Sequence, residues 1–393
     1  MLNFSKLMPQ IELVGPDALD DTSDATAAAQ AVLIDAREHY GEFHQKLIES
    51  EQLTFWPLAM PIEPFNEVEH VRPEKAPHTV VAVDGSQIMP SQHEVHNCYL
   101  INIGQVIISY GEQRPVLMDS FPILFHSVED IYPVIDRRRL HVDESYVTFE
   151  RTLRELATLR DLAMQAQERE LPVVAFVDGS LAIWALDKMS DSYQHYYIER
   201  LSDILDSFER ARVPLIGYIS HSRSADISNA LRVWCCPFAV SNCESLCGHL
   251  REDEFPCSSI WPVLDRNVLR AALNKYERGP LMAAGVTKGL PLPDSHRRTF
   301  TYVNVGKEIA RLEFPRWLAD DKELLNSAIS VAIAQAEKGN GYPICIAEAH
   351  NMAVVRAADR AKFFDLLAKH LISTGVQQVK ISPKETGKRR SIV

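Results

Sequence analysis

No stretch of the 393-residue sequence approaches the roughly 20 consecutive apolar residues that cross a bilayer, so no membrane-spanning helix is expected. The first residues, MLNFSKLMPQIELVGPDALDD, show no charged and then apolar leader, and the expected location is the cytoplasm. Basic charge is also in deficit. Lys and Arg number 41 against 53 Asp and Glu, a net charge of −12, which argues against nonspecific coating of nucleic acid, since that binding rests on clustered cations. Work on nucleic acid would need local basic patches, bound cations or a partner that delivers the strand. A glycine-rich Walker loop is missing, so ATP hydrolysis by this chain is not expected. There is no repeat of fixed period and no low-complexity tract. Seven cysteines, an odd number without an export signal, do not suggest a disulfide framework.

What is present is ordinary globular composition, 46% hydrophobic and 24% charged. Residues 21 to about 52, rich in Ala, Leu, Glu and Lys, predict one long helix, and Pro57, Pro61, Pro64, Pro73 and Pro77 make 53–78 an extended arm. Residues 80–83 and 95–111, the latter with Gly104 between two apolar stretches, predict neighbouring strands, with Asp84 at a strand end. Phe149, Leu153, Leu156 and Leu159 recur at helical spacing over about 145–170, and a strand follows at 172–177. Next come a helix near 193–211, a strand in VPLIGYIS, a cysteine-bearing segment and a strand pair in FTYVNVGKEIARLEF. A helix over about 320–338, a strand in PICIAEA and a helix from 349 that Gly375 could close complete the pattern. The reading is one α/β core with insertions.

Two hydrophobic runs end alike, VVAVDGS at 80–86 and VVAFVDGS at 173–180. A single Asp-Gly after a strand is ordinarily a turn. A pair on adjacent strands would set Asp84 beside Asp178, where unpaired carboxylates repel unless cations hold them. Divalent ions held this way stabilise attacking and leaving oxygens in phosphodiester cleavage. A third carboxylate could come from Glu150 or Glu155. Five helical residues turn through about 140°, so at most one faces the site; Glu155 shares the stripe of Leu159 and Leu162, and Glu150 is the reserve. Elsewhere, Cys236, Cys243, Cys247 and Cys257 could ligate zinc or an iron–sulfur cluster, although no C-x-x-C pair is present and His249 adds a further donor. Reduced, partly buried thiols are the alternative. The C-terminal KISPKETGKRR, with Lys380, Lys384, Lys388, Arg389 and Arg390, is either a phosphate-contacting patch or a solvated tail.

The order of VDGS, a helix with RELATL, then FVDGSL, RLEFPRW and YPICIAEAHNMA, over about residues 79–372, resembles the NurA family of nucleases. The resemblance implies an α/β fold with an RNase H-like mixed β-sheet core flanked by helices, an N-terminal helical extension and insertions. Its expected divisions are 1–78 (helix and Pro-rich arm), 79–375 (nuclease domain, with a cysteine insertion at about 234–260) and 376–393 (a C-terminal strand and basic tail). It implies a DNA nuclease dependent on Mn2+ or Mg2+, degrading from 5′ ends and cutting single strands, that processes ends in double-strand break repair. The partners it implies are DNA, a second copy in a homodimer and a HerA-type hexameric ATPase. Carried over by position, Asp84, Asp178 and Glu155 bind metal, and Tyr342 and His350 complete the active site, His350 as a further metal ligand or phosphate contact. On local pattern alone Tyr342 precedes a strand, and His350 lies where the next helix should begin, a position that favours anions and a neutral imidazole.

Two features depart from the family pattern. YISHSRS leaves His221 or Arg223 where a basic residue is expected after the strand at 213–219, and the cysteine insertion is not general to the family. RLEFPRW reads as fold-bearing, with Trp317 in the core. A catalytically lapsed scaffold or regulatory subunit of a translocase complex is the competing reading, opposed by the intact carboxylates. A phosphohydrolase with an Asp nucleophile would want a second acid two residues on, where both copies have Ser.

Overall fold

The computed structural model describes residues 2–14, 23–90, 97–182, 186–285 and 292–375; the strand and basic tail expected at 376–393 lie outside them. The chain forms two compact units. One comprises Met1–His70, Ser220–Val286 and Thr299–Arg311, the other Val71–Ile219, Thr287–Arg298 and Leu312–Val393. Among the described residues no helix is long and apolar enough to cross a membrane.

The second unit holds both Asp-Gly-Ser segments. Its sheet comprises β1 (His78–Ile88), β2 (Tyr99–Tyr110), β3 (Leu117–Phe125), β4 (Val173–Asp178) and β5 (Leu215–Ile219) in the order β3-β2-β1-β4-β5. β2 runs antiparallel to both of its neighbours, β1 and β3, whereas β4 runs parallel to β1 and β5 parallel to β4. That order and polarity make a mixed sheet of the RNase H type. The connection from β3 to β4 carries helix α1 (Glu144–Gln167), started by the Asp143 side chain accepting from the Tyr146 N–H. Its apolar stripe, Phe149, Leu153, Leu156, Leu159 and Leu162, is buried in one cluster with Val81 and Val83 of β1. Residues two apart on a strand share a face, so the residue that follows in that row is Gly85. α2 (Asp191–Ala211) joins this cluster through Tyr197, Leu201, Ile204 and Phe208, and Trp317 packs partly buried against it.

Three expectations are corrected here. β1 does not end at Asp84 but continues to Ile88, paired with β2 throughout. The segment 99–110 is one strand, and Gly104 interrupts nothing; a Cβ there would stand 2.5 Å from the Ala349 carbonyl and overlap the Ala353 nitrogen. The glycine therefore admits a packed helix. That helix, α4 (Ile344–Ala353), is formed by the apolar run read as a strand, and it follows α3 (Lys322–Lys338). A short apolar run carries no periodicity that separates a strand from a buried helix. α5 (Ala357–Ser373) follows after a break, with Gly375 at φ +97° beyond it.

In the first unit, the expected single helix is two, Ser23–Glu38 and Tyr40–Ser50, broken at the non-helical His39. Ala29, Leu33, Phe43 and Leu47 from these helices are buried in one cluster with Ile227, Leu231, Phe300 and Tyr302, so they build the core of their unit. The Pro-rich arm is pinned by two short antiparallel pairings, Met60–Pro61 with Met282–Ala283 and Glu69–His70 with Glu277–Arg278. Arg278 is fully buried and its charge is met by Glu63 at 2.7 Å and Glu69 at 2.6 Å, as a buried guanidinium requires.

Candidate functional site

The parallel register of β1 and β4 runs from Thr79 opposite Val173 to Val83 opposite Val177. One residue further on each strand stand Asp84 and Asp178, aligned at the same level of neighbouring strands. Asp84 pairs across to Gly104 on β2, whose missing Cβ points at α4, so the Asp84 side chain projects toward α4 as well. The two Asp-Gly-Ser copies differ in structure. The first lies inside a continuous strand, whereas in the second β4 stops at Asp178 and Gly179, at φ +92°, turns the chain away.

Each serine fixes its own half of the site. The Ser86 hydroxyl donates to the Ala353 carbonyl at 2.5 Å, and the Asn102 amide donates to the same oxygen at 2.8 Å, satisfying an end carbonyl of α4. α4 is thereby held over β1, and His350 Nδ1 meets Asp84 Oδ2 at 2.9 Å. The Ser180 hydroxyl donates to Glu313 Oε2 at 2.7 Å, and the Leu181 N–H donates to the same oxygen at 3.0 Å. Arg298 donates to Glu313 Oε1 at 3.0 Å. Glu313, buried in the strand Ile309–Pro315, thus clamps the turn that follows Asp178. RLEFPRW is fold-bearing in this concrete sense.

Tyr342 precedes a helix rather than a strand. Its hydroxyl donates to Asp178 Oδ1 at 2.6 Å, and its ring packs edge-on against Tyr218 with centroids 5.6 Å apart. Burial, then the bond to Asp178 and the charges of Asp178 and Asp84, raises the phenol well above its ordinary value, so it stays protonated. His350 is corrected more substantially. It sits in the last turn of α4, not at a helix start, so the dipole argument for a neutral ring reverses there.

Glu155 comes from α1 on the opposite face of the sheet. It reaches the carboxylates because Gly85 has no side chain; a Cβ there would overlap Glu155 Oε1 and stand 3.0 Å from Arg151 Cγ. Arg151 Nε stands 3.0 Å from Oε1 as an ion pair, yet neither atom meets hydrogen-bond geometry, and Oε1 is buried without a donor. Burial above all, with the charges of Asp84 and Asp178 added and Arg151 opposing, pushes the Glu155 carboxyl up to about 8. Glu150 is differently placed, its carboxylate engaged by Arg154 at 2.7 Å. The helix therefore turns Glu155 toward Asp84 and Asp178, and Glu150 away.

Three carboxylates with an adjacent imidazole are a hard oxygen and nitrogen donor set of the kind a divalent cation takes, although no three of their donor atoms lie within 4.8 Å of one another, and the donorless Glu155 oxygen is the atom such an ion would satisfy. A second group was not foreseen from sequence. Asp206, Glu209 and His296 alone among the described residues place three potential ligand atoms within 4.8 Å of one another. The buried His296 ring lies 2.5 Å from Asp206 and 3.7 Å from Glu209, and it lines, with Glu155, an apolar cavity of ≈ 240 Å³. Asp206 and Glu209 are separated by an ordinary i, i+3 spacing, and the histidine partner 90 residues away leaves no sequence signal. His221 and Arg223 belong to the other unit.

A mixed sheet of this order, with acidic residues on its first and fourth strands and on the intervening helix, is an RNase H-like architecture. The chain belongs to the NurA family: the NurA domain matches residues 78–355. Among solved structures, the NurA nuclease from Sulfolobus solfataricus is similar at 14% identity, with 92% of this chain and 98% of that chain covered and a TM-score of 0.47. The catalytic domain of human endonuclease V is similar at 13% identity, covering 76% of this chain and 92% of that one, with a TM-score of 0.30. An RNase H1 with the type 2 active-site motif, LC9-RNase H1, aligns at 11% identity over 40% of this chain and 70% of that one, with a TM-score of 0.20. No curated protein sequence matches significantly.

Proposed function

We propose that this nuclease depends on a divalent cation and cuts DNA, with Asp84, Asp178 and Glu155 as metal ligands, His350 as a further ligand or phosphate contact, and Tyr342 as an orienting group. The observation that supports this most strongly is the convergence of Asp84 and Asp178, side by side on parallel strands, with the buried and donorless oxygen of Glu155. Carboxylates so gathered are stable only with protons or a cation among them. When bound, a divalent ion supplies charge stabilisation of the scissile phosphate and a more acidic water. Mn2+ is the ion proposed, with Mg2+ the alternative.

The chain's own groups do the rest. Glu155, whose carboxyl is pushed up to about 8 without an ion, would release its proton in order to serve as a ligand. With Nδ1 turned to Asp84, the His350 ring leaves Nε2 for a metal ligand or a phosphate contact. Tyr342 keeps its proton, holds Asp178 in place and excludes water from one side of that carboxylate.

Family membership supports the finer reading: degradation from 5′ ends and cutting of single strands, in DNA end processing for double-strand break repair, as a cytoplasmic homodimer with a HerA-type hexameric ATPase. The net charge of −12 supports delivery of the strand by such a motor, since the chain has no excess of cations with which to gather DNA itself. The test uses end-labelled single- and double-stranded DNA with manganese, magnesium or chelator, and Asp84→Asn as the control for contaminating nucleases. Cleavage that needs the ion and Asp84 is expected; cleavage in chelator, or none with any ion, overturns the reading.

A further inference from the structure

Four cysteines of the first unit converge from three backbone segments. Cys236 caps the C-terminus of the helix Asp226–Cys235, Cys243 and Cys247 lie one turn apart on a short helix, and Cys257 precedes the 3-10 turn Ser258–Ile260. All four line one cavity with Trp56 and Phe255. None is in a disulfide, and Cys243, Cys247 and Cys257 are buried. Folding has collected four of the chain's seven thiols around one point, where ordinary packing could have used any small apolar residue.

A second observation concerns charge. Arg232 also lines the cavity and is 3% exposed, with its Nε and Nη2 atoms buried and without a hydrogen-bond partner. Its guanidinium lies 3.6 Å from the Trp56 ring centroid, and Glu252, at 3.7 Å, meets only its Nη1. A buried cation with two unmet donor nitrogens at an apolar cavity is costly unless an anion sits there. Lys46 reaches from the helix Tyr40–Ser50 to donate to the Cys236 carbonyl at 2.5 Å, fixing that corner.

We infer that Cys236, Cys243, Cys247 and Cys257 ligate an iron–sulfur cluster, with Arg232 offsetting its net negative charge. Spacing separates a cluster from a single zinc ion. Zinc draws four sulfurs to about 2.3 Å from one centre, and so to within roughly 4 Å of one another. Here no three of the sulfurs lie within 4.8 Å of each other. A cluster suits wider thiols because each binds its own iron at a separate corner. The role is structural: the cluster ties a loop segment with little regular structure to the helix Asp226–Cys235. It is independent of the nuclease reading.

The test is the metal and sulfide content of the full-length chain purified without oxygen. About four iron and four acid-labile sulfides per chain, with the broad visible absorption of thiolate-bound iron, are expected. The Cys243→Ser/Cys257→Ser double variant should lose iron, sulfide and absorption together, and Cys98→Ala, in the other unit, should keep them. One zinc per chain without sulfide overturns the cluster in favour of a tetrahedral ion. A metal-free wild-type chain, after attempted reconstitution with iron and sulfide, overturns it entirely. These readings are made on the wild-type protein, so a variant that fails to fold does not decide the matter, and none depends on DNA cleavage.

Discussion

His350 Nδ1 lies 2.9 Å from Asp84 Oδ2, a contact across 266 residues that joins the last turn of α4 to the middle of β1. The ring is 61% exposed, so little packing depends on it. If the imidazole serves the reaction, His350→Ala lowers turnover by about 10²-fold or more while the melting temperature hardly moves. Both are measured on one preparation. A large melting shift with normal activity per folded molecule would show that the histidine only anchors α4.

Asp84→Asn and Asp178→Asn each remove a ligand charge and almost no volume, and each should abolish cleavage in a folded protein. Tyr342→Phe removes only the hydroxyl that donates to Asp178 and should cost less than either. Glu150→Gln breaks the pair with Arg154 and should leave the rate intact. Loss of cleavage in Glu150→Gln with retention in Glu155→Gln would reassign the third ligand.

Glu155 predicts a pH dependence of definite sign. Its carboxyl is raised from the ordinary 4.5 to about 8 in the folded chain, so between those values the folded state holds a proton that the unfolded state has lost. Stability from this group is present below about 4.5 and is lost as pH rises toward about 8. Melting temperature in chelator should therefore decline across this window more steeply for wild type than for Glu155→Gln. Adding manganese should flatten the wild-type slope, because the ion replaces the proton. Identical slopes for the two proteins would mean that Glu155 is not buried as described.

Gly85 and Gly104 predict opposite phenotypes for the same substitution. At Gly85 a methyl group meets the far end of the Glu155 side chain, which can swing aside, so Gly85→Ala should lose activity with a modest loss of stability. At Gly104 the obstacle is the backbone of α4 at Ala349 and Ala353, which cannot yield locally, and Gly104→Ala should destabilise by about 3 kcal/mol or more. Denaturant melts and a single-turnover assay on both variants separate these outcomes. Equal stability losses would remove the distinction.

The helix Glu144–Gln167 was legible from a long apolar stripe at helical spacing, and the strand Val173–Asp178 from a Val-rich apolar run closed by Asp-Gly. The run PICIAEA was not, since short apolar segments suit a strand or a buried helix equally, and only packing on β1 and β2 selects the helix. Gly104 misled for a related reason: glycine in a strand marks either a turn or a close approach, and the approaching helix lies some 250 residues downstream. The clamp of Ser180 and Leu181 by Glu313 and the cap on Ala353 by Ser86 pair residues that no local rule connects.

By itself the sequence singled out the candidate residues: two Asp-Gly-Ser strands and the Glu155 stripe, with Tyr342 and His350 taken from the family resemblance. These are properties of residue type and short-range order, which survive without coordinates. The tertiary structure alone decided the working geometry. Strand register sets Asp84 level with Asp178. The missing side chain of Gly85 lets Glu155 reach them from the opposite face. The helix over Gly104 brings His350 to Asp84. Each depends on contacts between segments distant in the chain, and such contacts are chosen by the packing of the whole sheet rather than by any residue's neighbours in sequence.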